Sequence, residues 1–167
     1  MEQIVDEKPK RPTFLVVLVI LSAISMILSF ISTVGALISG PMDSDTMEMY
    51  NADVYESLSV LRDSGAHSMA DIVENFIHLA AYENNEIFYT NHLITLFIII
   101  IGIVGITLMF QLRKLGFHLY IIYSILPILS MYILLPMELI PSFLVIGSLL
   151  ISLLFIVLYG LNLKHMK

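Results

Sequence analysis

The sequence predicts an all-α protein: an integral membrane four-helix bundle with a small two-helix extracytoplasmic cap between membrane helices 1 and 2. Three observations carry this expectation. Four segments each hold the roughly 20 apolar residues needed to cross a hydrocarbon core of about 30 Å as a helix. Seven of the eight Lys and Arg residues fall on one side of the resulting topology. Ten of the fourteen acidic residues fall on the other side, inside one polar insertion. Lys8, Lys10 and Arg11 precede the first segment, Arg113 and Lys114 separate the second from the third, and Lys164 and Lys167 follow the fourth. Only Arg62 lies opposite. An excess of cations marks cytoplasmic loops, so both termini are expected in the cytoplasm. The expected organisation is a cytoplasmic N-terminus (1–12), spans at 13–39, 91–112, 117–135 and 139–163, a helical cap at 40–90, and a cytoplasmic C-terminus (164–167).

Span one is the longest and should tilt or project beyond the lipid. Ser22, Ser25, Ser29, Ser32 and Ala36 recur in it at three- and four-residue steps and so share one stripe. Its apolar run exceeds the 7 to 15 residues of a signal-peptide core, so an uncleaved anchor is expected rather than a cleaved leader. Gly102 and Gly105 give span two a smooth patch, and Gly147, Ser148 and Ser152 do the same for span four. Membrane helices meet where small side chains let backbones approach and hydroxyls bond across, so these residues are the expected packing faces. The alternative is that the serine stripe lines a polar path.

The linkers are short. Residues 113–116 join spans two and three, and 136–141 join spans three and four, which forces antiparallel neighbours. Pro136 and Pro141 punctuate the second turn, whereas Pro127 lies mid-span and should kink the helix unless neighbours satisfy the freed carbonyl. With Trp absent, Tyr89, Tyr120, Tyr132 and Tyr159, all near span ends, are the expected interfacial aromatics.

The insertion is too long for a plain connector and reads as two helices. Met47, Tyr50, Val54, Leu58 and Leu61 repeat at helical spacing, with N-caps available at Asp43 to Asp45 and a stop at Gly65. Ser68 and Asp71 resemble a capping box for the second helix, whose expected apolar face is Met69, Ile72, Val73, Phe76 and Ala80. Asn84 and Asn85 should end it. The polar faces are acidic, and anionic headgroups would repel them, so the two helices should pack on each other and on the outer ends of the spans.

Composition removes several function classes. The chain is 58% hydrophobic and only 13% charged, against about a quarter charged in soluble domains. No basic stripe tracks a phosphate backbone, so nucleic acid is not an expected partner. The absence of cysteine excludes thiol redox chemistry, thiolate metal sites and disulfides. No ionisable residue lies inside a span, as a proton-coupled carrier would require; Glu138, His92, His118 and Gln111 sit near span ends. The nucleophile elbow Gly-x-Ser-x-Gly and Gly-rich phosphate loops are missing, so no catalytic residue and no cofactor is expected. One candidate metal cluster remains. His67, Asp71, Glu74 and His78 place imidazole and carboxylate three and four residues apart on a helix, a spacing zinc accepts. The same spacing arises on any acidic helix face, and the expectation is a helix-face ion pair or a solvated face rather than a metal site.

Two edge motifs carry a likeness. Arg11-Pro12-Thr13-Phe14-Leu15 enters span one, and Lys114-Leu115-Gly116-Phe117-His118-Leu119-Tyr120 enters span three. With the helical outer loop, they resemble small four-span inner-membrane proteins of Bacteroidetes-type bacteria. The resemblance implies location in the cell inner membrane and a multi-pass architecture, and no chemistry. Tetraspanins and claudins share the topology but use outer-loop cysteines that this chain lacks. The expected function is therefore a non-enzymatic structural or accessory protein, acting on other membrane proteins or a second copy of itself through its small-residue faces or its acidic cap. The alternative is a membrane protein that binds or moves a lipid or other apolar small molecule. A cavity between the spans above about 300 Å³ would favour ligand handling; a tightly filled seam would favour the accessory role.

Overall fold

The computed structural model describes residues 11–167; Lys8, Lys10 and the rest of residues 1–10 of the expected cytoplasmic N-terminus lie outside the described residues. All regular structure among the described residues is helical: α1 (Thr13–Ser39), α2 (Ser44–Asp63), α3 (His67–Asn85), α4 (Phe88–Phe110), α5 (Lys114–Leu134) and α6 (Ser142–Gly160), with single 3₁₀ turns at Met137–Leu139 and Leu163–His165. Four of these, α1, α4, α5 and α6, are long and apolar enough to cross a membrane. Helix α1 has the expected bounds. Helix α4 starts three residues early, at Phe88, and α5 starts at Lys114, because the turn between α4 and α5 uses only Gln111, Leu112 and Arg113. Helix α6 is shorter than expected because Pro141 stands before its first residue and the chain after Gly160 tightens into a 3₁₀ turn.

Each apolar helix touches two others: α1 packs on α4 and, more lightly, on α6, while α5 packs on α4 and α6. The tightest junction is between α4 and α5. A Cβ placed on Gly116 would lie 2.5 Å from the Gly105 carbonyl oxygen and 2.5 Å from the Met109 nitrogen. Backbone therefore lies on backbone there, as small residues permit in lipid, where no water drives helices together. Further along α4, a Cβ on Gly102 would strike the Tyr123 ring of α5 and the Met26 methyl of α1, so this glycine sits where three helices converge. Outward, α1 leaves Ile20, Ile24, Ile27, Leu28 and Ile31 more than half exposed. Proteins in water rarely carry so continuous an apolar band.

Helix α4 ends in a left-handed residue that is not glycine. Leu112 has φ +62°; its N–H donates to the Met109 carbonyl, and the Arg113 N–H donates to the Leu108 carbonyl. This is the Schellman pattern, which normally recruits glycine. Leucine bears the steric cost because its side chain is buried in the core. Pro127 lies inside α5, which continues across it. The Tyr123 carbonyl loses its usual donor, and the next carbonyl, that of Ser124, accepts from the Ser152 hydroxyl of α6 at 3.2 Å.

Helices α2 and α3 pack on each other, and α3 also touches α4 and the Met137–Leu139 turn. Asp43 caps α2 by accepting from the Thr46 N–H at 2.8 Å. At its far end, Gly65 adopts φ +80°, with its N–H donating to the Arg62 carbonyl and the Ala66 N–H donating to that of Leu61. Arg62 then reaches across to Glu74 at 2.6 Å. Two sequence expectations differ from what is seen here. Ser68 lies inside α3, which begins at His67 with no side-chain cap. The buried face of α3 is Ala70, Ile77 and Leu79, while Met69, Ile72 and Phe76 are exposed. Phe76 instead meets the ring of Phe143 edge-on at the start of α6. Asn84 is buried along with Ala70, Ile77 and Leu79 and pairs both ways with the Met42 backbone, accepting its N–H at 2.8 Å and donating to its carbonyl at 2.9 Å.

Candidate ligand-binding cleft

Three helices each turn one stripe toward a common space. On α1 the stripe is Leu21, Ser22, Ser25 and Met26; on α5 it is Tyr120, Tyr123, Ser124, Pro127 and Ile128; on α6 it is Ser148, Ile151, Ser152 and Phe155. Each set follows steps of three and four, so each lies on a single helix face. Together they enclose a cleft of about 300 Å³ that is open on one side. The cleft exists because α1 and α6 touch only lightly while both are held firmly elsewhere.

Its polar lining consists of hydroxyls and no charged side chain. The Tyr159 hydroxyl donates to Ser22 Oγ at 2.9 Å, joining α6 to α1 beside the cleft. Tyr159 is fully buried, and its ring centroid lies 4.5 Å from that of Tyr120, which in turn lies 5.6 Å from Tyr123. Three tyrosine rings thus cluster, tilted to one another, where the helices converge. Tyr120 and Tyr159 were expected among interfacial aromatics; both are core residues instead, Tyr159 with its hydroxyl bonded to Ser22 and Tyr120 with its ring against that of Tyr159. Tyr89 and Tyr132 are exposed. Two of the remaining hydroxyls bond locally, Ser124 donating to the Tyr120 carbonyl at 2.8 Å and Ser148 to that of Val145 at 3.0 Å, while Ser152 reaches across to the Ser124 carbonyl. Such back-bonding satisfies the donor while leaving oxygen lone pairs for a guest.

The structure gathers some of the expected packing residues and separates others. Ser22, Ser25, Ser148 and Ser152 line the cleft. Gly102 and Gly105 are buried at the junction with α5. Ser29 and Ser32 continue the α1 stripe past the cleft and are exposed. A Cβ on Gly147 would meet nothing within 4 Å. Tyr120 has a cleft-lining place that its expected interfacial role did not foresee, and Tyr123 and Ser124 join it at a spacing on α5 that matches that of the α1 serines; Gly116, expected only in the linker, is required by the closest backbone contact.

Among the described residues no group of three or more His, Asp or Glu side chains is placed to hold a metal. His67, Asp71 and His78 are exposed along α3, and Glu74 is engaged by Arg62. Two carboxyls of the α2–α3 region have shifted protonation. The Thr46 N–H holds the Asp43 carboxyl below its ordinary value. Burial pushes the Glu83 carboxyl up, against the opposing pull of His92. A larger hollow, about 540 Å³, lies open along α2 with Glu48, Tyr55 and Asn85 at its wall, but one helix supplies nearly all of its lining. Comparison with family models, curated proteins and solved structures returned no match.

Proposed function

We propose that the chain is a multi-pass protein of the cell inner membrane, without enzymatic activity, that binds a neutral, largely apolar small molecule or lipid chain in the cleft between α1, α5 and α6. The observation that carries this reading is the cleft itself. Its volume of about 300 Å³ stands at the lower end of small-molecule sites, and its apolar walls carry a few convergent hydroxyls. A charged guest is disfavoured because it would be desolvated with no counter-charge in reach. In this reading the open side gives onto lipid, so the guest enters laterally.

The topology that accompanies this function has both termini in the cytoplasm and α2–α3 as an extracytoplasmic cap. The end of the bundle bearing Arg11, Arg113, Lys114, Lys164 and Lys167 faces inward, as the excess of cations in cytoplasmic segments favours. The edge motifs entering α1 and α5 support the inner membrane. A second reading, helix docking by another membrane protein or a second copy, is favoured by the outer half of α1. There Ser29, Ser32 and Gly35 are exposed, and a Cβ on Gly35 would meet nothing within 4 Å.

Native mass spectrometry of protein released from lipid nanodiscs separates the two. The cleft reading predicts a retained neutral molecule that is lost in Ser25→Leu and in Ser148→Leu, both of which fill the space, and kept in Gly35→Leu. Retention unchanged in both filling variants would refute it, and a defined dimer lost in Gly35→Leu would favour docking.

A further inference from the structure

We propose that the end of the molecule where α4 turns into α5 is a binding site for the headgroup of an anionic phospholipid. The inference rests on the membrane placement proposed above and is independent of the cleft. Three separate stretches of chain, at Arg11, at Arg113 and Lys114, and at Lys164 and Lys167, bring cations to this end. The 3₁₀ turn after α6 lays the C-terminal residues across the turn between α4 and α5. The Lys167 N–H donates to the Leu112 carbonyl at 2.7 Å, and the Lys114 N–H donates to the Lys167 backbone oxygen at 2.9 Å. This two-rung backbone pair sets Lys167 beside Arg113 and Lys114. Asn162 and Met166 are buried and pin the same segment from below, with Lys164 exposed between them. Arg11 closes the group: its Nε donates to the Phe110 carbonyl at 2.9 Å and its guanidinium stacks 4.0 Å from the Phe110 ring.

None of these cations is paired with a carboxylate side chain among the described residues. Among the described residues, the stretches that meet here (11–15, 108–118 and 158–167) contain no Asp or Glu. The contrast is Arg62, which is satisfied by Glu74. A signal that only orients a membrane protein needs cations in its loops, not a fixed arrangement of them. Here the tail backbone is hydrogen-bonded to the turn between α4 and α5 and anchored by buried Asn162 and Met166, so Lys164 and Lys167 leave the chain at fixed points near Arg113, and the layer lies at the ends of the apolar helices, at headgroup depth in the proposed placement. Phosphate is the chemistry that such a set of guanidinium and ammonium donors recognises. At that depth the phosphate present in quantity belongs to acidic lipid.

The test uses the full chain, delipidated in detergent and titrated at low salt with phosphatidylglycerol or phosphatidylcholine of equal chain length, read by native mass spectrometry. The wild type should bind phosphatidylglycerol at least about tenfold more tightly. Losing one cation should cost about fivefold, so Arg113→Gln with Lys114→Gln, and separately Lys164→Gln with Lys167→Gln, should each cost about 25-fold. Arg62→Gln should cost nothing, and Arg113→Lys with Lys114→Arg, which keeps the charge, should retain the preference if folding is intact. No preference in the wild type, or equal loss in the Arg62→Gln control, overturns the site. Abolition of the preference by millimolar inorganic phosphate overturns the lipid assignment in favour of a free anion. Failure of the membrane placement itself would show separately, as chain remaining in the supernatant after detergent-free lysis.

Discussion

Replacing Gly116 with alanine should be the most damaging single-methyl change in the molecule. The added Cβ would stand 2.5 Å from the Gly105 oxygen, 2.5 Å from the Met109 nitrogen and 2.9 Å from the Leu108 carbonyl carbon. All three are backbone atoms of α4, so no rotamer change relieves the clash. Ordinary contact begins near 3.4 Å, so α4 and α5 must separate by about 0.9 Å at this point. Forced separation of a packed junction costs about 1–3 kcal/mol, and the upper end applies where the obstacle is main chain. Gly102→Ala should cost less, because it meets the ring of Tyr123 and the flexible end of Met26 at 2.6 and 2.8 Å. Gly147→Ala meets nothing and should be neutral or stabilising by up to about 1 kcal/mol, from the higher helix propensity of alanine. Equilibrium unfolding of the three variants in one mixed-micelle system, followed by circular dichroism, ranks them directly. Equal stability of Gly116→Ala and Gly147→Ala would refute the close-approach argument.

Other outcomes follow from single contacts. Removing the hydroxyl in Tyr159→Phe and its acceptor in Ser22→Ala should reveal a coupling of about 0.5–1.5 kcal/mol in a double-mutant cycle; zero coupling would mean the 2.9 Å bond holds nothing together. Asn84→Ala strips both bonds from the buried-side backbone of Met42 and should destabilise by about 1–3 kcal/mol, with faster hydrogen exchange at the Met42 amide. Glu83 has a raised pKa in the fold, so its contribution to stability is fully present below its unfolded value and is lost as pH rises through the folded one. Glu83→Gln should therefore stabilise the protein at pH 7, with the advantage shrinking as pH falls toward 4; a constant difference across that range would argue against burial as the cause.

Much of the architecture was legible in advance because lipid imposes simple rules. The bounds of α1 could be read from an apolar run flanked by Pro12 and Gly40, and the Asp43 cap and the Gly65 stop from residue types with one dominant local use. Where the sequence misled, tertiary contacts had overridden local pattern. The buried side of α3 holds Ala70, Ile77 and Asn84 rather than Met69 and Ile72, and Asn84 is tied there to Met42, a residue 42 positions away. Tyr120 and Tyr159 near span ends looked interfacial, but Tyr159 is bonded to Ser22 of α1 and Tyr120 packs on the Tyr159 ring, contacts between helices far apart in the chain. The α1 serines were visible as a stripe. Its division into a cleft-lining part (Ser22, Ser25) and an exposed part (Ser29, Ser32) depends on where α6 leans away, which no local signal encodes. The cluster on α3 had metal-like spacing, but Glu74 is drawn to Arg62 across the helix pair.

The orientation proposed for the four apolar helices is directly measurable, because the sequence holds no cysteine. Asp53→Cys on exposed α2 and Lys164→Cys in the basic layer each give a chain with one thiol. With a membrane-impermeant maleimide on intact spheroplasts, the account predicts labelling of Asp53→Cys at once and of Lys164→Cys only after the membrane is permeabilised. The reverse order, or equal labelling of both before permeabilisation, would contradict it.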